Sequence, residues 1–161
     1  LLRLQAGGAG TPPELRAGLD LVIDELRGLV HGVMPAMLVE AGLEAAVEDL
    51  ADRMPVPTTV DVDPGELPPV VQSTAYFFVA EALTNAVKHA DASRLVVRAR
   101  RRGDWLEVEV CDDGRGGARA DGRGAGLRGA RDRVESLGGV FELADLATGG
   151  TRLCGRLPCG S

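Results

Sequence analysis

The segment Glu81-Ala-Leu-Thr-Asn85-Ala-Val-Lys88-His89 carries a carboxylate, an amide, an ammonium and an imidazole. At about 100° per residue, Glu81, Asn85, Lys88 and His89 fall within an arc of about 100° on one helix face. Val79, Leu83, Ala86 and Val87 point the other way. Lys88 is the only lysine in the chain; the other basic side chains with a permanent charge are arginines. A compact point charge on this stripe suits contact with phosphate. Asn85 offers an amide oxygen, a hard ligand for Mg²⁺, which keeps most of its waters and shares phosphate oxygens. Glu81 can orient a metal-bound water or accept a proton. Taken alone, the stripe is equally an ordinary acid-to-base helix surface.

A second stretch, Asp112-Asp113-Gly114-Arg115-Gly116, follows the strand pattern of residues 106–111. A carboxylate at a strand end can enter a pocket mouth, while Gly114 and Gly116 let backbone approach a ligand closely. A buried carboxylate accepting from an exocyclic amine contributes about 1.5–3 kcal/mol. It also selects adenine over guanine, which presents a carbonyl at that edge and would set lone pair against lone pair. By itself the stretch reads more simply as a hairpin turn.

Further on, Gly122-Arg-Gly124-Ala-Gly126-Leu127-Arg128-Gly129 opens a helix. Free N–H groups and the helix dipole make such a start an anion site, and glycines let the amides wrap a triphosphate. Arg115, Arg119, Arg123 and Arg128 add local positive charge. The plain alternative is a solvated loop. It is not the dinucleotide fingerprint, since no strand leads straight into these glycines.

The elements that must position these groups follow from periodicity. Residues 1–12 read as a frayed end or linker. A helix over residues 14–33 carries Leu15, Leu19, Val22, Leu26, Leu29 and Val33 in steps of four and three, which reads either as an amphipathic helix packed on its own domain or as the tail of a dimerising bundle. Pro35 breaks it. Residues 37–54 predict a second helix, 56–62 a strand and 70–90 the motif helix. Residues 95–100 and 105–111 predict two strands joined at Arg102-Gly103-Asp104. A mobile loop over 112–126, a helix over 127–137 and strands over 140–143 and 151–157 complete the order. The expected fold is α+β, a two-layer sandwich with a mixed sheet and helices on one face. Residues 1–36 are expected to be a linker with the end of a dimerisation helix, and 37–161 the main domain.

Each motif is weak alone, but their order is specific. It resembles the ATP-binding domain of sensor histidine kinases, within the gyrase/Hsp90/histidine kinase/MutL superfamily. Residues 81–90 look like the N-box, 112–116 and 124–129 the two glycine boxes, and 148–151 the last box. The resemblance implies a Bergerat-type ATP-binding fold with ATP and Mg²⁺ as cofactors. Asp112 would read adenine, Thr151 would support the adenine end, and Asn85 would hold Mg²⁺. Glu81, Asn85 and Lys88 would be the catalytic set. His89, Gly114, Gly116, Gly124, Gly126, Leu127, Arg128 and Gly129 would complete the nucleotide site. Residues 26–43 resemble the link in the two-component subfamily paired with helix-turn-helix response regulators. The phosphoacceptor histidine would sit on a dimerisation helix upstream of Leu1, in a homodimer. His31, followed by Gly32 without the usual acid, reads as a helix-end histidine. Ala130 stands where the resemblance leads one to expect methionine.

Composition narrows the alternatives. A net charge of −6, with three Phe, one Trp and one Tyr, speaks against a nucleic-acid partner. Cys111, Cys154 and Cys159 lack zinc spacing and read as reduced cytosolic thiols. No apolar run approaches a membrane span, so any membrane anchor would lie in parts outside this chain, which starts at Leu1 and reads as a fragment. Arg98, Arg100 and Arg102 share one strand side, expected to be solvated. The rival readings are an anti-sigma-factor-type serine-protein kinase, a gyrase- or MutL-type clamp, and a silent nucleotide-sensing domain.

Overall fold

A computed structural model describes residues 35–118 and 125–160. The chain divides into compact units 1–33 and 34–161, and every described residue lies in the second. The seam expected between Leu15 and Val33, His31, and Gly122 to Gly124 lie outside the described residues.

Helix α1 (Ala36–Asp52) is interrupted at Gly42, whose φ of 83° is left-handed. The single straight helix expected from the sequence is therefore two short pieces, since only glycine takes that conformation without steric cost. Strand β1 (Thr58–Asp63) follows, then helix α2 (Pro69–Asn85), which opens on a proline whose missing N–H costs nothing there. The α-helix stops at Asn85, and Ala86–Ala90 form one π-helical turn closed by Asp91 at φ 55°. This corrects the continuous α-helix expected to residue 90. Strands β2 (Leu95–Arg102) and β3 (Trp105–Asp112) form the expected hairpin, with Arg102 opposite Trp105. Helix α3 (Ala125–Ser136), β4 (Val140–Asp145) and β5 (Thr151–Pro158) complete the domain.

The five strands lie in the order β1-β2-β3-β5-β4, with β1 parallel to β2 and all other pairs antiparallel. Leu95, Val97, Leu106, Val108, Val110, Leu153 and Leu157 line the buried face. Helix α2 packs against α1, α3, β3 and β5, so it is apolar on more than one side. Phe78 and Leu83 are almost fully buried, each contributing about 1.5–3 kcal/mol. Gly155 leaves space for the Phe78 ring, which meets Phe141 edge-on at 5.9 Å.

The other face carries charge rows. Asp61, Arg98 and Glu109 stand in register across β1, β2 and β3, as do Asp63, Arg100 and Glu107. Arg98 pairs with Glu109 at 3.0 Å, and Arg100 with Asp63 at 3.0 Å and with Asp61. Arg98 and Arg102 are exposed, as expected of a solvated sheet face. Exposed pairs of this kind contribute little individually. No helix among the described residues is long and apolar enough to cross a membrane.

Candidate functional site

Asp112 ends β3 in line with Leu106, Val108 and Val110, on the helix side of the sheet. The two-residue repeat of a strand turns Asp112 inward and Asp113 outward. Asp112 is 6% exposed. Its Oδ1 accepts the N–H of Gly114 at 2.9 Å and of Thr151 at 3.3 Å. Among the described residues both of its hydrogen bonds fall on that oxygen, which leaves Oδ2 with its acceptor capacity.

Asp113 is engaged on both oxygens. Its Oδ1 accepts the N–H of Ser93 at 2.8 Å and of Arg94 at 2.9 Å, and its Oδ2 accepts the Ser93 hydroxyl at 2.6 Å. The Ser93 hydroxyl, with these amides, holds the Asp113 carboxyl below the usual carboxylate range. The two adjacent acids thus play different parts, with Asp113 pinning the entry to β2 while Asp112 faces the interior.

The next residues brace the end of the motif helix. The Arg115 N–H donates to the Ala90 carbonyl and its Nε to the His89 carbonyl, both at 2.9 Å. Gly114 presses on the Ala90 carbonyl with no room for a side chain. On the opposite side Thr151, 2% exposed, opens β5 beneath Gly150.

These elements enclose a cleft of about 210 Å³, lined by Asn85, His89, Ala90, Gly116, Gly117, Ala118 and Thr151. Of the expected site residues, Asn85, His89, Gly116 and Thr151 line it; Asp112 does not, but sits next to the lining and accepts the Thr151 amide. Lys88 is exposed and does not line the cleft. The wider π turn rotates each residue by less than an α turn does, so Asn85 aligns with His89 and Ala90 while Lys88 swings away. Glu81 stands apart, one turn earlier on α2, with its carboxylate against Gly126 in the first turn of α3.

Gly126 and Leu127 sit in that first turn, where amides are free of the helix ladder. The Leu127 side chain is buried in the core, and Arg128 is exposed. Gly129 lies a turn further in, where its N–H serves the helix. Ala130 and Val134 fix α3 to the core, aided by Arg133 over the Phe77 ring at 5.6 Å.

Among the described residues no group of three His, Cys, Asp or Glu could hold a metal ion. One hard oxygen from Asn85 suits Mg²⁺, which is held chiefly by phosphates and water. Sequence reasoning gave Arg115 only as local positive charge and Asp113 and Ala90 only as members of their motifs, and it assigned no site role to Gly117, Ala118 or Asp145, which support or line the cleft. Alternation through Asp112 already places Asp113 outward; the Asp145 contact is long-range and has no local signal.

Residues 71–161 match the family described as histidine kinase-, DNA gyrase B-, and HSP90-like ATPase. The chain is 32% identical over 145 residues to an uncharacterized sensor-like histidine kinase of Chloroflexus aurantiacus, covering 80% of this chain and 24% of that protein. It thus spans about a quarter of that relative's length. Among solved structures it is similar to the histidine kinase domain of a blue-light activated histidine kinase from Erythrobacter litoralis. That match has TM-score 0.58 and 29% identity, and covers 74% of this chain and 60% of the other. It is similar also to the ATP binding domain of PrrB from Mycobacterium tuberculosis, with TM-score 0.58, 27% identity and coverage of 74% and 92%.

Proposed function

The chain belongs to the histidine kinase-, DNA gyrase B-, and HSP90-like ATPase family, and from that premise we propose that it is the ATP-binding catalytic domain of a two-component sensor histidine kinase. In this reading it donates the γ-phosphoryl of ATP to a histidine on a dimerisation helix outside the chain. The phosphoryl group then passes to an aspartate of a response regulator, of the type paired with helix-turn-helix outputs. The domain works in the cytoplasm within a homodimer. The comparisons with histidine kinases support this branch of the family over the serine-kinase and clamp readings.

One observation carries the reading: a carboxylate 6% exposed, with both of its hydrogen bonds among the described residues on a single oxygen. The Oδ2 of Asp112 would accept the exocyclic amine of adenine, and Thr151 would flank that end. In this reading the cleft of about 210 Å³ would take the base, with the phosphates directed towards Asn85. A bound Mg²⁺ would supply charge neutralisation at the phosphates. Asn85 offers its amide oxygen towards that ion. His89 lines the path, and the exposed Lys88 supplies charge from the rim. The first-turn amides of Gly126 and Leu127 would receive the phosphate tail beyond the cleft, and Glu81, against Gly126, would orient the reacting group. The residues position and neutralise rather than form bonds, as phosphoryl transfer requires.

Calorimetry with ATP and GTP, each with and without Mg²⁺, on the wild type and Asp112→Asn tests this. ATP binding that weakens about ten- to a hundredfold in the variant, with no GTP binding to the wild type, is expected. Equal affinity for the two nucleotides would remove the assignment.

A further inference from the structure

Gly116, Gly117 and Ala118 make up one side of the cleft. Gly116 and Gly117 are both left-handed, at φ 68° and 76°. Glycine is the residue that loses most conformational freedom on ordering, so two in succession need an anchor to hold one shape. Among the described residues, that stretch of three makes one hydrogen bond, from the Gly117 N–H to Oδ1 of Asp145 at 2.7 Å. The same oxygen stands 3.0 Å from where a Cβ on Gly116 would lie. Asp145 is the last residue of β4, remote in sequence from all the motif stretches. Its own position is fixed by register opposite Thr151, the first residue of β5, which also lines the cleft.

We infer that Asp145 is a positioning residue for the nucleotide site: it ties the glycine wall of the cleft to the strand pair that carries Thr151. The inference rests on the nucleotide reading above. Asp145 is not among the residues that line the cleft. It acts by restricting Gly116 and Gly117 to the conformation that lines the cleft. A carboxylate accepting an amide N–H is a charge-assisted bond, stronger than a neutral one. Asparagine keeps an acceptor oxygen in the same place; alanine does not.

The test compares Asp145→Ala and Asp145→Asn in this chain, by ATP calorimetry, by thermal unfolding without ligand, and by the exchange rate of the Gly117 amide. Alanine is expected to weaken ATP binding about tenfold and to speed Gly117 exchange, with asparagine within about threefold of wild type. Both variants should keep the ligand-free unfolding midpoint within about 5 °C, the scale of one exposed hydrogen bond. Undiminished ATP affinity in the alanine variant would overturn the inference. So would an asparagine variant as weak as alanine, or a fall in the midpoint beyond that range, which would mark a purely structural role. A wild-type chain that binds no ATP would instead remove the underlying reading, and it is measured first.

Discussion

Gly150 lies against the carbonyl oxygen of Asp112, so close that a Cβ at position 150 would overlap that atom. With φ at 94° it is also in the region that side chains rarely adopt. The last box is thus a glycine because the first box needs its backbone there. Gly150→Ala is expected to cost about 2–4 kcal/mol in urea unfolding and to weaken ATP binding by displacing Thr151 from Asp112. Gly149 provides the contrast: φ is 92°, but its nearest neighbour, the Gly114 carbonyl, is at 3.6 Å. Gly149→Ala should cost only the backbone strain, about 1–2 kcal/mol. Equal losses at the two positions would show that the Asp112 contact is not what selects glycine.

Mg²⁺ dependence separates the two ends of the nucleotide. Asn85 offers one oxygen, and no protein cage for an ion exists among the described residues. Chelation should therefore weaken ATP binding about tenfold while leaving adenosine unaffected, because adenosine brings no phosphates to share the ion. Asn85→Ala should remove most of that dependence without altering adenosine affinity. Calorimetry with both ligands reads this; an adenosine affinity that followed Mg²⁺ would place the ion elsewhere.

Acid stability should report on the open sheet face. Burial pushes the Glu109 carboxyl up, but hydrogen bonds from Arg152 and Arg98, with their charges, outweigh it and hold the group below its ordinary value. A carboxyl lowered on folding binds fewer protons in the native than in the unfolded state across that interval. Its stabilising contribution is present above the unfolded-state value of 4.5 and fades as pH falls through the lower folded value. Asp113 acts with the same sign, through Ser93 and Arg94. Urea midpoints should decline as pH drops below about 4.5, and Glu109→Gln should make that decline shallower. An unchanged slope would mean the Arg98–Glu109–Arg152 cluster does not persist in solution.

How much of this could be read beforehand depended on the range of the cause. Asp112 was legible because its environment is local: alternation through Leu106, Val108 and Val110 carries it inward. The β2–β3 turn was legible from Gly103, and the sheet from strand spacing. The π turn was not, because Ala86 and Ala90 fit an α pattern and a π pattern alike. That one change moved Lys88 out of the cleft and left His89 in it. Gly42 inside a helical pattern reads as a cost of about 1 kcal/mol, whereas its left-handed backbone makes it a break. Asp145 was invisible because its partner, Gly117, is 28 residues away in sequence.

The contact between Glu81 and Gly126 makes a prediction about sign. In a first helical turn, glycine to alanine ordinarily stabilises by about 0.5–1 kcal/mol, since alanine gives up less freedom. At position 126 a Cβ would overlap Oε2 of Glu81. Gly126→Ala must then displace either that carboxylate or the start of α3. It should destabilise the free protein, and in a chain extended to include the acceptor helix it should slow phosphoryl transfer more than it weakens ATP binding. In a Glu81→Ala background the obstruction is gone, and the same substitution should become neutral or stabilising. A double-mutant cycle by urea unfolding measures the reversal as a coupling of about 1–2 kcal/mol. Additive effects would mean that the carboxylate does not rest on α3, and that position 126 is glycine to leave its amide open to phosphate.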